Sequence, residues 1–130
     1  MSEGYKLEIV NPESAFFSSE SVTETVIPAY EGEIGILKDH IPMISFLKPG
    51  IIKVTSQSGG KNFYAEDGII EFKDNLLSIL TSSIFDLENY DKSLINENLK
   101  NAEKELGNQN LNDQSRYLLS QKVDVLKSIS

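Results

Sequence analysis

The chain has 130 residues, of which 39% are hydrophobic and 25% charged, which suits a folded protein with one core of ordinary size and excludes a second large domain. It contains no cysteine and one histidine, so disulfides, thiolate nucleophiles and the usual zinc sites are excluded. The net charge is −8, and residues 1–90 hold all of the excess with 6 lysines against 14 acidic residues. Such a surface repels phosphate backbones, so we expect no nucleic-acid partner.

Residues 5–84 show the pattern of an antiparallel β protein. Short apolar runs rich in Val, Ile, Phe and Tyr are separated by turn residues. The first strand alternates Tyr5, Leu7 and Ile9 with polar residues and ends at Asn11-Pro12. A second strand around residues 22–27 is predicted to end at Pro28. Further strands are predicted at residues 34–37, 41–47, 51–57, 63–65, 69–72 and 76–80.

Four dipeptides with turn chemistry divide the later strands. They are Pro49-Gly50, Gly59-Gly60, Asp67-Gly68 and Asp74-Asn75. Gly-Gly and Asp-Gly suit tight hairpins because those turns require positive φ. Roughly eight to ten short strands with this punctuation predict an antiparallel sandwich or barrel.

After Asp86 the spacing of apolar residues becomes helical. Asp91 is a candidate N-cap of a first helix, and Gly107-Asn108 is its candidate end. A second helix is predicted to begin near Asn112 or Asp113. The predicted apolar stripes are Leu94, Ile95, Leu99, Ala102 and Leu106 in the first helix, and Leu118, Leu119, Val123, Leu126 and Ile129 in the second.

The short connection between the two helices predicts that they are antiparallel neighbours. The fold class is therefore α+β, an N-terminal antiparallel β-sandwich over residues 1–86 followed by a C-terminal two-helix hairpin over 87–130, with the junction at residues 84–90. No apolar run approaches the ~20 residues that cross a bilayer. The first five residues also resemble neither a signal peptide nor a transit peptide. We expect a protein of the cytosolic side that does not span the membrane.

Glu31 and Glu33 flank Gly32, and an extended backbone would place their carboxylates about 6.6–6.8 Å apart. That spacing falls within the range of inverting glycosidases, and His40 could serve as a general base. A small acidic β-sandwich glycosidase or carbohydrate-binding module is therefore one hypothesis. The alternative is that the two carboxylates lie on a solvent-facing turn and that His40 is a hydrogen-bonded turn residue. No nucleophile elbow and no phosphate-binding glycine loop occurs in the sequence, so no catalytic residue, cofactor site or metal site is assigned.

The stretch over residues 27–42 resembles the epsilon subunits of F-type ATP synthases. Their signature is a Gly-Glu/Gln-Ile/Leu-Gly-Ile/Val run, a short turn and His-Ala-Pro. Here it reads Gly32-Glu33-Ile34-Gly35-Ile36 and then His40-Ile41-Pro42. The resemblance continues at residues 47–52, 67–72 and 76–81, so it covers the whole predicted sandwich.

The resemblance implies a non-catalytic rotor subunit that couples proton flow to ATP synthesis. Its sandwich would bind the gamma subunit and sit against the ring of c subunits, as a peripheral protein on the cytoplasmic face of the bacterial inner membrane. In that family, the positions held here by Glu31, Gly32 and Glu33 touch the polar loop of the c ring, and His40 lies close to the gamma and ring contacts. An acidic sandwich suits the basic loops of c subunits.

The resemblance also implies a regulatory role for the helical hairpin. It can fold on the sandwich, or extend along gamma towards the alpha and beta subunits and block ATP hydrolysis. Some members bind ATP through an Ile-Asp-x-x-Arg-Ala motif. Here Asp91 is retained, but Leu94 and Ile95 replace the Arg and Ala. An apolar chain cannot replace the guanidinium contact, so we predict that the chain does not bind ATP appreciably and that Asp91 serves as an N-cap.

The resemblance further implies that inhibition of ATP hydrolysis depends on basic residues of the second helix. This chain offers Arg116, Lys122 and Lys127. At about 100° per residue, Arg116 and Lys127 lie on nearly one side, whereas Lys122 points about 120° away. The three cations therefore form no continuous basic stripe.

Overall fold

The computed structural model describes residues 4–12 and 14–130. They form two compact units divided between Glu88 and Asn89. The first unit is a β-sandwich, and the second contains two helices. The elements are β1 (Tyr5–Asn11), β2 (Ser14–Ala29), β3 (Gly32–Leu37), β4 (Met43–Leu47), β5 (Gly50–Ser56), β6 (Gly59–Ala65), β7 (Gly68–Lys73), β8 (Leu76–Leu80), β9 (Ile84–Asp86), α1 (Lys92–Leu106) and α2 (Asp113–Ile129).

The 16-residue strand β2 joins the two layers of the sandwich. Its first half pairs with β1, which continues through β8 and β7 to β4. Its second half pairs with β3 and β5, and β5 continues through β6 to β9. The pairing of β2 shifts in register between Val22 and Glu24, where the strand changes partners, and such an irregularity bends a strand. The predicted sandwich is thus confirmed, with one parallel pair, β1 with β8.

The core lies between the two layers and is built from alternate residues of the strands. Its buried members are Tyr5, Leu7, Ile9, Val22, Ile27, Ala29, Ile36, Leu47, Ile52, Val54, Phe63, Ala65, Ile70, Phe72, Leu77 and Ile79. The hydroxyls of Tyr5 and Thr25 are buried among them. The Tyr5 hydroxyl donates to the Ile36 carbonyl at 2.8 Å and lies 2.7 Å from the Thr25 hydroxyl. Burial raises the pKa of Tyr5 to about 12, so the phenol is neutral and both hydrogen bonds satisfy it.

The structure changes several of the predicted strand assignments. Pro28 does not end the second strand, because β2 continues to Ala29 and Pro28 lies opposite Glu33 on β3. The Pro28 carbonyl accepts from the Lys48 amide at 3.0 Å, on the edge of β2 that faces away from β3. In a β-strand, the N–H and the carbonyl of one residue point to the same side. The N–H that Pro28 lacks would therefore have pointed away from β3, so no hydrogen bond to β3 is lost. Residues 14–21, for which no strand was predicted, form the first half of β2, and residues 84–86 of the expected junction form β9.

The predicted turns have mixed outcomes. Asp74 and Asn75 form a two-residue hairpin with φ of 52° and 58°, as a turn of this kind requires. The Gly59-Gly60 prediction was wrong, because Ser56 pairs with Gly59 and leaves residues 57 and 58 as the turn.

The prediction of a tight hairpin at Asp67-Gly68 was also wrong. It connects β6 to β7, and these two strands do not pair with each other. Gly68 has φ of +153°, and a Cβ there would collide with the Leu80 carbonyl. The glycine is required at this position by the close approach of two backbones rather than by a hairpin.

The two helices form the predicted antiparallel hairpin. The Asp91 carboxylate accepts from the Ser93 amide at 2.8 Å, which confirms Asp91 as the N-cap of α1. Asn112 caps α2 by accepting from the Ser115 amide at 2.7 Å. The buried side chains are Ile95, Ala102, Val123 and Leu126. Leu94 was expected in the apolar stripe but is 42% exposed, because one residue before Ile95 lies about 100° around the helix.

Polar contacts close both ends of the hairpin. The Arg116 guanidinium, in the first turn of α2, donates to the Leu106 and Asn108 carbonyls at 3.0 and 3.1 Å, where α1 ends. At the opposite end, the Tyr90 hydroxyl donates to the Ile129 carbonyl at 2.6 Å. Helix C-termini leave carbonyls without intrahelical partners, and the neighbouring segment supplies donors at both of these ends.

Candidate functional site

The first candidate residues lie in the turn between β2 and β3. Ala29 pairs with Gly32, so Tyr30 and Glu31 form the turn itself. Gly32 has φ of +124°, a conformation that side chains with a Cβ rarely adopt. The Tyr30 amide donates to the Phe46 carbonyl at 3.1 Å, which ties this turn to the end of β4.

The Glu31 carboxylate is oriented by a buried hydroxyl. The Ser45 oxygen lies 2.6 and 2.8 Å from the two carboxylate oxygens. The Ser45 hydroxyl bond, with a smaller contribution from a backbone amide, holds the pKa of Glu31 below its usual value. Glu33 follows on β3 and is exposed. We call residues 30–33 the acidic turn.

His40 lies at the other end of β3. From Glu33, the last residue of the acidic turn, to Leu37 at the end of β3, the strand spans about 13 Å, and His40 follows Leu37 by three residues. The His40 Nδ1 lies 2.8 Å from the Ile41 carbonyl, which places a proton on Nδ1. Its ring packs edge-on against Phe72, with centroids 5.8 Å apart.

The structure therefore does not bring together the three residues of the glycosidase hypothesis. A general acid and base must face one bond, so His40 cannot act together with the two carboxylates. His40 is a hydrogen-bonded turn residue. The neighbouring Asp39 has φ of 66°, and its side chain and amide both bond the Asn75 side chain, which joins this turn to the β7–β8 hairpin.

An exposed apolar surface covers the outer side of β4, β7, β8 and β1, and sequence reasoning missed it. The strand register places four side chains in one row across the sheet. Three of the four are 45–54% exposed, and Val10 is half-buried. We call this the apolar row, and its members are Phe46, Ile69, Leu80 and Val10. The sequence signal was the adjacent apolar pair Ile69-Ile70, which makes both faces of a strand apolar.

In the helical unit, the positions that match the ATP motif serve the hairpin. Asp91 caps α1, and Ile95 is buried. Two cations of α2 are also occupied within the hairpin. Arg116 binds the end of α1, and Lys127 lies 3.8 Å from Glu103.

Within residues 4–12 and 14–130, no group of three histidine or acidic side chains is placed to hold a metal ion. Neither α1 nor α2 combines the length and apolar character that a membrane span requires.

Comparison with known proteins identifies the family. Residues 4–86 match the family model for the β-sandwich domain of the ATP synthase delta/epsilon chain. The ATP synthase epsilon chain of Pelagibacter ubique is 60% identical over 130 residues, covering all of both chains. The mitochondrial ATP synthase subunit delta of Schizosaccharomyces pombe is 40% identical over 72% of this chain and 58% of its own length.

Solved structures agree on the fold. A chain of the Euglena gracilis mitochondrial ATP synthase superposes with a TM-score of 0.73 at 21% identity, over 98% of this chain and 79% of that one. A chain of the Tetrahymena thermophila ATP synthase central stalk and c ring gives 0.66 at 14% identity, over 99% and 98%. At these identities the likeness establishes the fold alone. The family match and the full-length identity together show that this chain belongs to the ATP synthase epsilon chain family, the non-catalytic central-stalk subunits of the F-type enzyme.

Proposed function

We propose that the sandwich is a binding module that fastens the gamma subunit and the c ring to each other, so that all three turn together. The observation that carries this proposal is the apolar row on the outer side of β4, β7, β8 and β1. Contiguous exposed apolar surface on a small acidic protein is typical of a protein interface. We assign the apolar row to the gamma subunit.

The acidic turn is assigned to the c ring. It lies at one tip of the sandwich, and the Ser45 hydroxyl directs the Glu31 carboxylate. Charges at the rim of an interface set association rate and register more than affinity. Because His40 lies at the opposite end of β3, we assign it to the gamma side rather than to the ring. The whole chain would then be peripheral to the bacterial inner membrane on its cytoplasmic face.

Binding to purified gamma subunit tests the module. Ile69→Ser removes the centre of the apolar row, and Leu94→Ser is its matched control, since Leu94 is 42% exposed on α1, outside the sandwich. Burying an Ile side chain contributes about 1.5–3 kcal/mol, so Ile69→Ser should weaken gamma binding roughly 10- to 100-fold. The mass of the complex and its dissociation constant are measured. Equal effects of the two substitutions would contradict the assignment.

Charge reversal tests the acidic turn. Glu33→Lys should lower proton-coupled ATP synthesis by opposing a basic ring loop while leaving ATP hydrolysis by the soluble complex unchanged. The effect is modest, because exposed ion pairs contribute about 0.2–1 kcal/mol. Glu20→Lys, an exposed position on β2 outside the turn, is the control. Proton pumping measured across a salt series should separate the two variants at low salt, and identical pumping would exclude a contact at Glu33.

The hairpin is proposed to regulate hydrolysis through the alpha and beta subunits without sensing ATP. Triphosphate charge placed against Leu94 and Ile95 would lack paired cations. Calorimetry with ATP and with Mg-ATP should show no binding at millimolar concentration, and ATP should leave the melting temperature unchanged. Binding at millimolar concentration or tighter would mean that other residues form a nucleotide site.

A further inference from the structure

The outer side of β4, β7, β8 and β1, which we call the outer face, carries three rows of different chemistry. The register places the apolar row first. The second row, two residues along each strand, contains two carboxylates, and the third contains two ammonium groups. Successive rows are about 7 Å apart along the strands. The second row is Ile44, Glu71, Ser78 and Glu8, and the third is Lys73, Leu76 and Lys6.

The two carboxylates of the second row differ. The Glu8 carboxylate lies 3.2 Å from the Lys6 ammonium. The Glu71 carboxylate forms no salt bridge with any residue in the described part of the chain. Glu71 faces Ile44 and Ser78 across the sheet. It is exposed, and it lines a shallow groove of ≈ 370 Å³ together with Glu8 and three members of the apolar row, Val10, Ile69 and Leu80.

A partner that covers this groove with apolar side chains alone would strip water from the Glu71 carboxylate. Desolvating a charge without a counter-ion is unfavourable and would offset much of the gain from covering the apolar row. A cation on the partner removes that cost. The third row fixes its position, because Lys73 and Lys6 repel a cation placed one row further along.

We propose that the outer face takes an apolar segment of its partner that carries one lysine or arginine opposite Glu71. The inference rests on the proposed function, in which this partner is the gamma subunit. Two other occupants fit less well. An anionic lipid surface would meet the carboxylates of the second row, and a second copy of this chain, which also carries a net charge of −8, would be repelled.

The test measures the affinity of the full chain for purified gamma subunit at salt concentrations from low to high. Glu71→Gln keeps the shape of the side chain and removes its charge, and Glu8→Gln is the matched control on the same row. We expect Glu71→Gln to weaken binding about tenfold or more at every salt concentration, mainly through faster dissociation, because a pair covered by the partner is screened little by salt. Glu71→Lys should weaken binding further. Glu8→Gln should stay within about twofold of the wild type, since the Glu8 carboxylate already pairs with Lys6 of its own chain and exposed pairs contribute little.

Failure of this inference is distinguishable from failure of the proposed function. If Ile69→Ser weakens gamma binding but Glu71→Gln matches the wild type at every salt concentration, the cation pairing is overturned and the interface stands. If neither substitution changes binding, both are overturned. A stable homodimer that Glu71→Lys disrupts would overturn the inference by showing a second copy as the occupant. Glu71 is exposed, so thermal unfolding should show that all variants keep the fold.

Discussion

In the sandwich, buried apolar side chains from β1 to β8 form one continuous cluster, whereas the helices contribute only Ile95, Ala102, Val123 and Leu126 to the buried set. The hairpin instead relies on polar contacts at its ends. Side-chain caps begin both helices, and Arg116 and Tyr90 bind carbonyls where each helix finishes. Isolated helix pairs of this length are marginal in water. The comparison indicates that apolar burial holds the sandwich and that terminal hydrogen bonds contribute a larger share to the hairpin.

The largest effect is expected in the sandwich core. Phe72 is 1% exposed and packs edge-on against Tyr5 with ring centroids 5.5 Å apart. Phe72→Ala should lower the free energy of unfolding by about 3–5 kcal/mol, measured by urea denaturation. Phe46→Ala is the matched control, because Phe46 is 54% exposed on the outer face. A comparable loss of stability in both variants would show that the exposed side of this layer contributes as much as the buried side. That result would contradict the conclusion that apolar burial holds the sandwich.

A smaller effect is expected at the end of the hairpin. Asp91→Ala removes the carboxylate that accepts from the Ser93 amide and should destabilise the hairpin by about 0.5–2 kcal/mol. Asp91→Asn should retain most of that stability, because asparagine caps helices as well as aspartate does. Amide hydrogen exchange reports on the two units separately, with faster exchange expected in α1 and not in β1–β9. If the amides of α1 exchange equally fast in Asp91→Asn and Asp91→Ala, the hydrogen bond from the Ser93 amide does not stabilise the start of α1.

The smallest effect is on charge rather than on stability. Ser45→Ala removes the hydroxyl that lowers the pKa of Glu31, so the pKa should rise towards its usual value. With the hydroxyl present, the pKa of Glu31 is lower in the folded state than in the unfolded state. The ionised carboxylate therefore contributes its full stabilisation at pH values above the unfolded-state pKa. That stabilisation is lost as pH falls through the folded-state pKa.

The pKa of Glu31 is measured by an NMR pH titration of its carboxyl carbon. Ser45→Thr keeps a hydroxyl and should keep the lowered value. An unchanged pKa in Ser45→Ala would mean that the backbone contact alone lowers the pKa of Glu31.

Sequence reasoning was least informative where both faces of a strand are apolar. In β4, the polar Ser45 is 3% exposed while its neighbours Ile44 and Phe46 are 68% and 54% exposed, the reverse of what polarity predicts. The buried hydroxyl is explained only by its contact with Glu31. The same limit hid the rows of the outer face, because alternation assigns residues to two faces without saying which one is covered.

By itself, the sequence determined the features set by neighbouring residues. These are the sandwich followed by a hairpin, the Asp74-Asn75 turn and the Asp91 cap, because period, turn chemistry and capping act within a few residues. Only the tertiary structure decided the length of β2, the parallel pairing of β1 with β8 and the separation of His40 from the acidic turn. Each of these depends on strands that are distant in the chain and meet in one register. The register is set by packing side chains from all of these strands into one core, and no local sequence pattern encodes that packing.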